Sequence, residues 1–145
     1  METPTGRLFA LPTMFSWERA ARGAGLRRFT WGDFDFEALA CTNKAHTVGP
    51  RPSPVNSFPW DESPWGIRGM VGNVTDYCLS DAGVYYRGWR AHRGGGWNKA
   101  VAAGRLGYHH GGVIHTPGRN VGFRTTMVVR LRAKLGSEET KRKPG

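Results

Sequence analysis

Trp65-Gly66-Ile67-Arg68-Gly69-Met70-Val71-Gly72-Asn73-Val74-Thr75-Asp76-Tyr77 is the stretch on which the reading of this fold depends. A turn-prone Gly-Asn pair separates two apolar runs. An acid follows the Asn by three residues, an arrangement that suits backbone carbonyls and one carboxylate converging on a hard cation. Val71–Cys78 therefore reads as a short helix or strand built around the turn.

The surrounding composition is that of an irregular domain. The 145 residues fit one domain, and they include 21 Gly and six Trp but only 39% hydrophobic residues, below the ~45–50% usual when Gly is counted as apolar. Few aliphatics, many Gly and many Trp predict a loop-rich fold with aromatic plates filling its core. The net charge of +10 raises the question of nucleic acid. The Arg residues are scattered, however, and the local run Lys141-Arg142-Lys143 falls in a polar tail expected to be disordered. Nucleic acid is thus the weakest of the partner readings. Cys41 and Cys78 form no C-x-x-C unit, which argues against a zinc or thioredoxin-type site. No apolar run reaches membrane length and Met-Glu-Thr-Pro is no signal peptide, so no membrane partner is expected and a cytoplasmic, reducing setting is.

Along the chain, Thr13 is placed to cap a helix whose Met14, Trp17 and Ala21 share one face, and Gly23 stops it. Phe29–Asp33 reads as a strand end entering a turn made by Asp33. Residues 47–64 carry five Pro and read as an extended surface loop pinned by Phe58, Trp60 and Trp65. Gly83–Ala91 reads as an aromatic loop, Arg93–Trp97 as a strand thinned by three Gly, and Arg105–Tyr108 and Val121–Arg130 as further strands. Period two places Val121, Phe123, Thr125 and Met127 on one face of the last.

Four motifs in order resemble the formylglycine-generating enzyme (sulfatase-modifying factor) family. Leu11-Pro12-Thr13 with Trp17-Glu18 and Ala20–Gly23 is similar to its L-P-T-E-A-E-W-E-x-A-A-R-G, and Trp31-Gly32-Asp33 to the W-G-D that follows. Ser63 through Tyr77 is similar to the G-N-V-W-E-W block. Arg93–Trp97, then Arg105, then Gly122-Phe123-Arg124, are similar to R-G-G-S-W … R … G-F-R. The resemblance implies an α+β, C-type-lectin-like fold with little regular secondary structure, as a domain over residues 5–126. Residues 127–145 would be a strand extension and charged tail. Family domains begin well before L-P-T, so an N-terminally truncated domain is expected, with the missing N-terminal half as a partner and Val121–Arg130 left as an unpaired edge.

The family's oxidases bind copper(I) through two Cys, five positions apart, just after R-G-G-S. Here Trp97–Arg105 holds no Cys, and neither the Lys99 ammonium nor Ala100 replaces a thiolate, so copper and a catalytic residue are not expected. A formylglycine-generating oxidase acting on a sulfatase cysteine remains the alternative. Ser63-Pro64-Trp65-Gly66-Ile67-Arg68 is closer to the S-P-Y-G-V-R-D wording of bacterial members linked to Ser/Thr kinases. That resemblance implies a non-catalytic sensor module with such a kinase as partner. The five His show no helix-borne pair at metal spacing; His109 and His110 would face opposite sides of a strand.

By the same resemblance, a calcium ion is implied near the Gly-Asn turn. Gly72 and Val74 would give carbonyls and Asp76 a carboxylate, with Gly69 standing where a further ligand belongs. Asp76 as an acceptor of backbone N–H groups is the other reading. Asn43 matches a ligand of a second cation site whose acid is missing from Arg51–Pro54. The family's groove implies Trp97, Arg105, His109 and Asn120 as contacts for a peptide or small ligand. Trp97 would otherwise be core, and Arg105 a partner of Asp81 or Glu62; Arg124 reads as structural.

Overall fold

A computed structural model describes residues 7–81, 89–113 and 118–128. The one α-helix among these residues, α1 (Met14–Arg22), starts where Thr13 stands extended, with its hydroxyl accepting the Ser16 N–H at 3.1 Å. It ends at Gly23, whose φ of 70° lets its N–H reach the Arg19 carbonyl. Trp17 and Ala21 are buried, and Met14 packs beside them. Thr13→Ala should cost about 1 kcal/mol, read as a lower urea midpoint at unchanged slope.

The strands are short: β1 (Leu8–Ala10), β2 (Thr75–Asp81), β3 (Trp89–Arg93), β4 (His109–Val113), β5 (Val121–Gly122) and β6 (Thr126–Val128). The main sheet runs β4-β3-β2-β5, antiparallel except for the parallel β2–β5 pair. β1 and β6 form a separate antiparallel ribbon, with Phe9 opposite Met127. The helix packs on β2 and β3. Between them lies a core of Trp17, Phe29, Met70, Val71, Cys78 and Leu106 among others.

Val121–Val128 is not an unpaired edge, because β5 lies on β2 and β6 on β1; Val129 and Arg130 lie outside the described residues. Its period-two pattern breaks at Phe123–Thr125, leaving Phe123 exposed. The triple glycine is no strand. The chain leaves β3 after Arg93, and Gly94 and Gly95 pass so close to the Met70 and Val71 carbonyls that a Cβ would sit 2.9 and 2.5 Å from them. Arg105–Tyr108 is a turn after a 3-10 turn at Val101–Gly104, with Tyr108 N–H donating to the Arg105 carbonyl. Trp89–Ala91 belongs to β3 rather than to a loop; residues 82–88, and the tail from 129, lie outside the described residues. Trp60 and Trp65 are 68% and 63% exposed, so they do not pin the proline loop, and the core is less aromatic than the composition suggested.

Candidate functional site

The pivot is a carboxylate. Asp61 is 1% exposed. Its Oδ1 accepts the Met70 and Val71 N–H groups at 3.2 and 3.0 Å and the Thr30 hydroxyl at 3.1 Å; Oδ2 accepts Val71 and Gly72 N–H at 3.0 and 3.2 Å. Burial pushes its carboxyl above the ordinary range, and these hydrogen bonds oppose the shift. The residues after it are thereby fixed, and Asn73 turns at φ 70°. The Asn73 side chain then clasps Ser53 by both backbone groups, at 3.0 Å each. The sequence reading passed over Asp61. The signal lay in its eight-residue distance from Gly69, a spacing to which no motif reading attaches weight.

Three of the four sequence motifs meet at Asp76, 3% exposed. Its Oδ2 accepts the Trp17 indole N–H at 2.8 Å and the Arg124 Nε–H at 2.5 Å. The same guanidinium donates to the Gly69 carbonyl at 2.9 Å and the Arg68 carbonyl at 3.4 Å. Arg93, 3% exposed, ties the sheet to the helix by an ion pair with Glu18 at 2.7 Å and donates to the Leu106 and Tyr108 carbonyls. Burial raises the Asp76 carboxyl, with the Arg124 charge and the Trp17 bond opposing.

A cavity of about 190 Å³ opens on the far side of β2, lined by Thr75, His92, Lys99, His110, Asn120 and Val121. His92 and His110 face each other across β3 and β4, and His92 packs edge-on against Tyr77 at 4.2 Å. Both Nε2 atoms are buried with no hydrogen-bond partner among the described residues. Asn120 is held by its carbonyl, which accepts the Thr75 N–H at 2.8 Å and hydroxyl at 3.1 Å. Trp97 stands half-buried beside it, its indole N–H on the Arg119 carbonyl at 3.3 Å.

Of the four expected groove residues, Asn120 lines this cavity and Trp97 adjoins it. The alternation of β4 turns His110 inward and leaves His109 exposed, so the imidazole foreseen for the groove is the wrong one of the pair. Arg105 is exposed over a separate depression with Arg22, Arg28 and Tyr108. Glu62, one of its expected partners, pairs with Arg68 at 2.6 Å instead; the Asp81 side chain lies outside the described residues.

The sequence model described as "Sulfatase-modifying factor enzyme 1-like domain" matches residues 4–129. The chain belongs to that family. No curated protein matches it in sequence. Among the solved structures that share its fold are these three. "Structure of PvdO from Pseudomonas aeruginosa" superposes with a TM-score of 0.73 at 21% identity, over 86% of this chain and 54% of that one. "Crystal Structure of CarF" gives 0.67 at 25%, over 86% and 48%. "Treponema denticola variable protein 1" gives 0.64 at 21%, over 81% and 46%. The chain thus spans about half the length of these structures. The sulfatase-modifying-factor fold is the α+β, C-type-lectin-like one that the motifs implied.

Neither metal associated with this family fits the residues present. For calcium, the Asp76 oxygen is already on a guanidinium that also claims the Gly69 carbonyl. An ion drawn to Asp76, Gly72 and Val74 would meet that positive charge at close range, and Gly69 adds no side-chain oxygen toward the six to eight that calcium takes. Asp76 is therefore an ion-pair partner, and neither of its two expected roles describes it. Asn43 keeps a buried Oδ1 without a partner among the described residues, and the loop beside it offers Ser53 where an acid was needed. For copper(I), the groove lining has no sulfur. Cys78 is fully buried and its thiol is pushed up to about 11 by burial. Among the described residues no cluster of three or more His, Cys, Asp or Glu is placed to hold a metal.

The groove imidazoles give a pH dependence. Burial lowers the pKa of both His92 and His110, helped by His110 acting on His92 and by Lys99 and His109 acting on His110. A depressed folded pKa means stability that is complete above the ordinary value of 6.5 and is lost as pH falls below it. The melting temperature of wild type should fall between pH 7.5 and about 5.5, and that slope should flatten in His92→Gln/His110→Gln. An unchanged slope in the double variant would place the acid sensitivity elsewhere.

Proposed function

We propose that this sulfatase-modifying-factor domain binds a peptide or small polar ligand in the groove between the triple glycine and Gly122-Phe123-Arg124, and does not oxidise it. The observation that carries this reading is the cavity lining: an ammonium, an amide, a hydroxyl and two imidazoles whose buried Nε2 atoms have no partner among the described residues, and no sulfur. Such a lining offers hydrogen bonds to carbonyl or carboxylate groups. Its ~190 Å³ is below the ~300–1,000 Å³ of drug-sized pockets, and suits one side chain of an extended peptide lying along the groove. The Ser63–Arg68 wording, similar to that of kinase-linked members, supports a sensor role in a bacterial signalling protein with a Ser/Thr kinase as partner. No helix among the described residues is long and apolar enough to cross a membrane.

The test is binding of a synthetic C-x-P-x-R peptide, the substrate motif of the family's oxidases. Lys99→Ala and Asn120→Ala should each weaken binding about tenfold or more, by loss of a charge-assisted or buried hydrogen bond, while Arg105→Ala should leave it unchanged. Weakening by Arg105→Ala alone would move the ligand to the other depression.

A further inference from the structure

Away from the groove, the turn at Arg105–Tyr108 meets the loop that follows α1. Together they form a depression of about 300 Å³ lined by Arg22, Arg28, Arg105, Gly107 and Tyr108. The Leu106 N–H donates to the Arg28 carbonyl at 2.8 Å, and the Leu106 side chain is fully buried, so Arg105 and Gly107 on either side of it stay exposed. Arg22 curls the loop by donating to the Leu26 and Arg27 carbonyls at 2.9 and 2.8 Å. Gly107 lets that guanidinium come close, since a Cβ there would stand 3.3 Å from Arg22 Nη2.

Three guanidiniums therefore line one depression, with no acid among its lining residues. The carboxylates nearby do not neutralise them. Glu18 is shared, at 2.8 Å from Arg22 and 2.7 Å from Arg93. Asp35 meets Arg28 at 3.3 Å with both side chains nearly half exposed, a pair that water and salt weaken. Asp33 uses one oxygen on the Arg28 backbone N–H. Among the described residues the exposed Arg105 guanidinium has no hydrogen-bond or ion-pair partner.

We propose that this depression binds the phosphate of a phosphorylated peptide, whose chain continues past Arg22 onto the apolar surface of Phe15 and Leu26. The donors favour phosphate over carboxylate. A guanidinium binds either one as a fork, but three oxygens and a charge near about −2 serve Arg28 and Arg105 together, whereas a carboxylate is satisfied by a single fork. The adjoining surface favours a peptide over a free metabolite. A second depression, of about 340 Å³, shares Arg22 and is lined by Phe15 and Leu26, which are 77% and 89% exposed. A charged pocket continuous with bare apolar side chains suits an extended chain that places a phosphate at one point and an apolar residue beyond it. None of these residues lines the groove that holds His110 and Asn120, so either site stands without the other.

The probe is a short fluorescent peptide with one phosphoserine flanked by leucines, titrated with the whole chain and followed by anisotropy. It should bind at least about tenfold tighter than the same peptide with serine or with glutamate at that position, and inorganic phosphate should compete. Arg105→Ala should weaken binding about tenfold or more; Arg105→Lys should recover only part of it, because an ammonium keeps the charge and loses the fork. With no partner to lose among the described residues, Arg105→Ala should melt at the wild-type temperature. Lys44→Ala removes an equal charge from an exposed position outside both depressions, and should change binding by less than about twofold. It separates this site from the general attraction of a chain of charge +10. Equal losses in Arg105→Ala and Lys44→Ala, or binding of the serine or glutamate peptide as tight as that of the phosphoserine peptide, would overturn the proposal. A short oligothymidylate that binds more tightly than the phosphopeptide and is lost in Arg105→Ala would give the arginines to nucleic acid and overturn it as well.

Discussion

Asp61→Ala is expected to cost about 3–5 kcal/mol, a large fraction of the ~5–15 kcal/mol that holds a domain of this kind together. The carboxylate satisfies three successive backbone N–H groups and one hydroxyl in a place where water does not reach. Alanine leaves all four donors facing a void. Asp61→Asn keeps the shape and the Oδ1 acceptor but turns an amide N–H₂ toward the Val71 and Gly72 donors, so it should still cost roughly 2–3 kcal/mol. The neighbouring Glu62→Ala is the control. Its pair with Arg68 is more than a third exposed on both sides, and its removal should change stability by less than about 1 kcal/mol. Urea unfolding of the three variants measures the contrast. Equal costs at positions 61 and 62 would show that the loop is not hung from its carboxylate.

Arg124→Met should have an effect of similar size with a distinct pH signature. It removes the one cation paired, among the described residues, with a carboxylate whose side chain is 4% exposed, and a buried charge deprived of its partner costs about 3–5 kcal/mol. The Asp76 carboxyl, already raised by burial, rises further without the opposing charge. A raised carboxyl contributes stability that is present at low pH and lost as pH climbs through its folded value. Relative to wild type, Arg124→Met should therefore lose stability as pH rises above the ordinary carboxylate value of 3.8. Adding Asp76→Asn should restore part of the loss, since the neutral amide needs no counter-charge. A double variant worse than Arg124→Met by the full cost of a second independent change would deny the coupling.

What the sequence disclosed follows from what its motifs encode. Thr13, Gly23 and the Trp17 face were legible because capping and helical period are local. The Gly-Asn turn was legible because Asn73 has to accept a positive φ. The pairing of β1 with β6 was not legible, since it joins residues more than a hundred positions apart by backbone bonds that leave no side-chain pattern in three-residue strands. At the candidate site, Asn120 was visible through its place before the Gly122-Phe123-Arg124 motif. The choice between His109 and His110 needed the phase of β4, and a two-residue ambiguity is what alternation cannot resolve without a register. Arg105 was assigned to the groove by order along the chain, yet the turn at Arg105–Tyr108 carries it to another face. Asp76 read either as a calcium ligand or as an acceptor of backbone N–H groups, because the cation that reaches it, Arg124, arrives from the last motif.

The central claim is that the motifs of this family here build a groove that binds without oxidising. The most direct measurement incubates the chain with copper(I), oxygen and a C-x-P-x-R peptide and follows both occupancy and the peptide cysteine. The account predicts a bound peptide, displaced in Lys99→Ala, whose cysteine remains a thiol. Conversion of that cysteine to an aldehyde, abolished by Cys78→Ser, would contradict it.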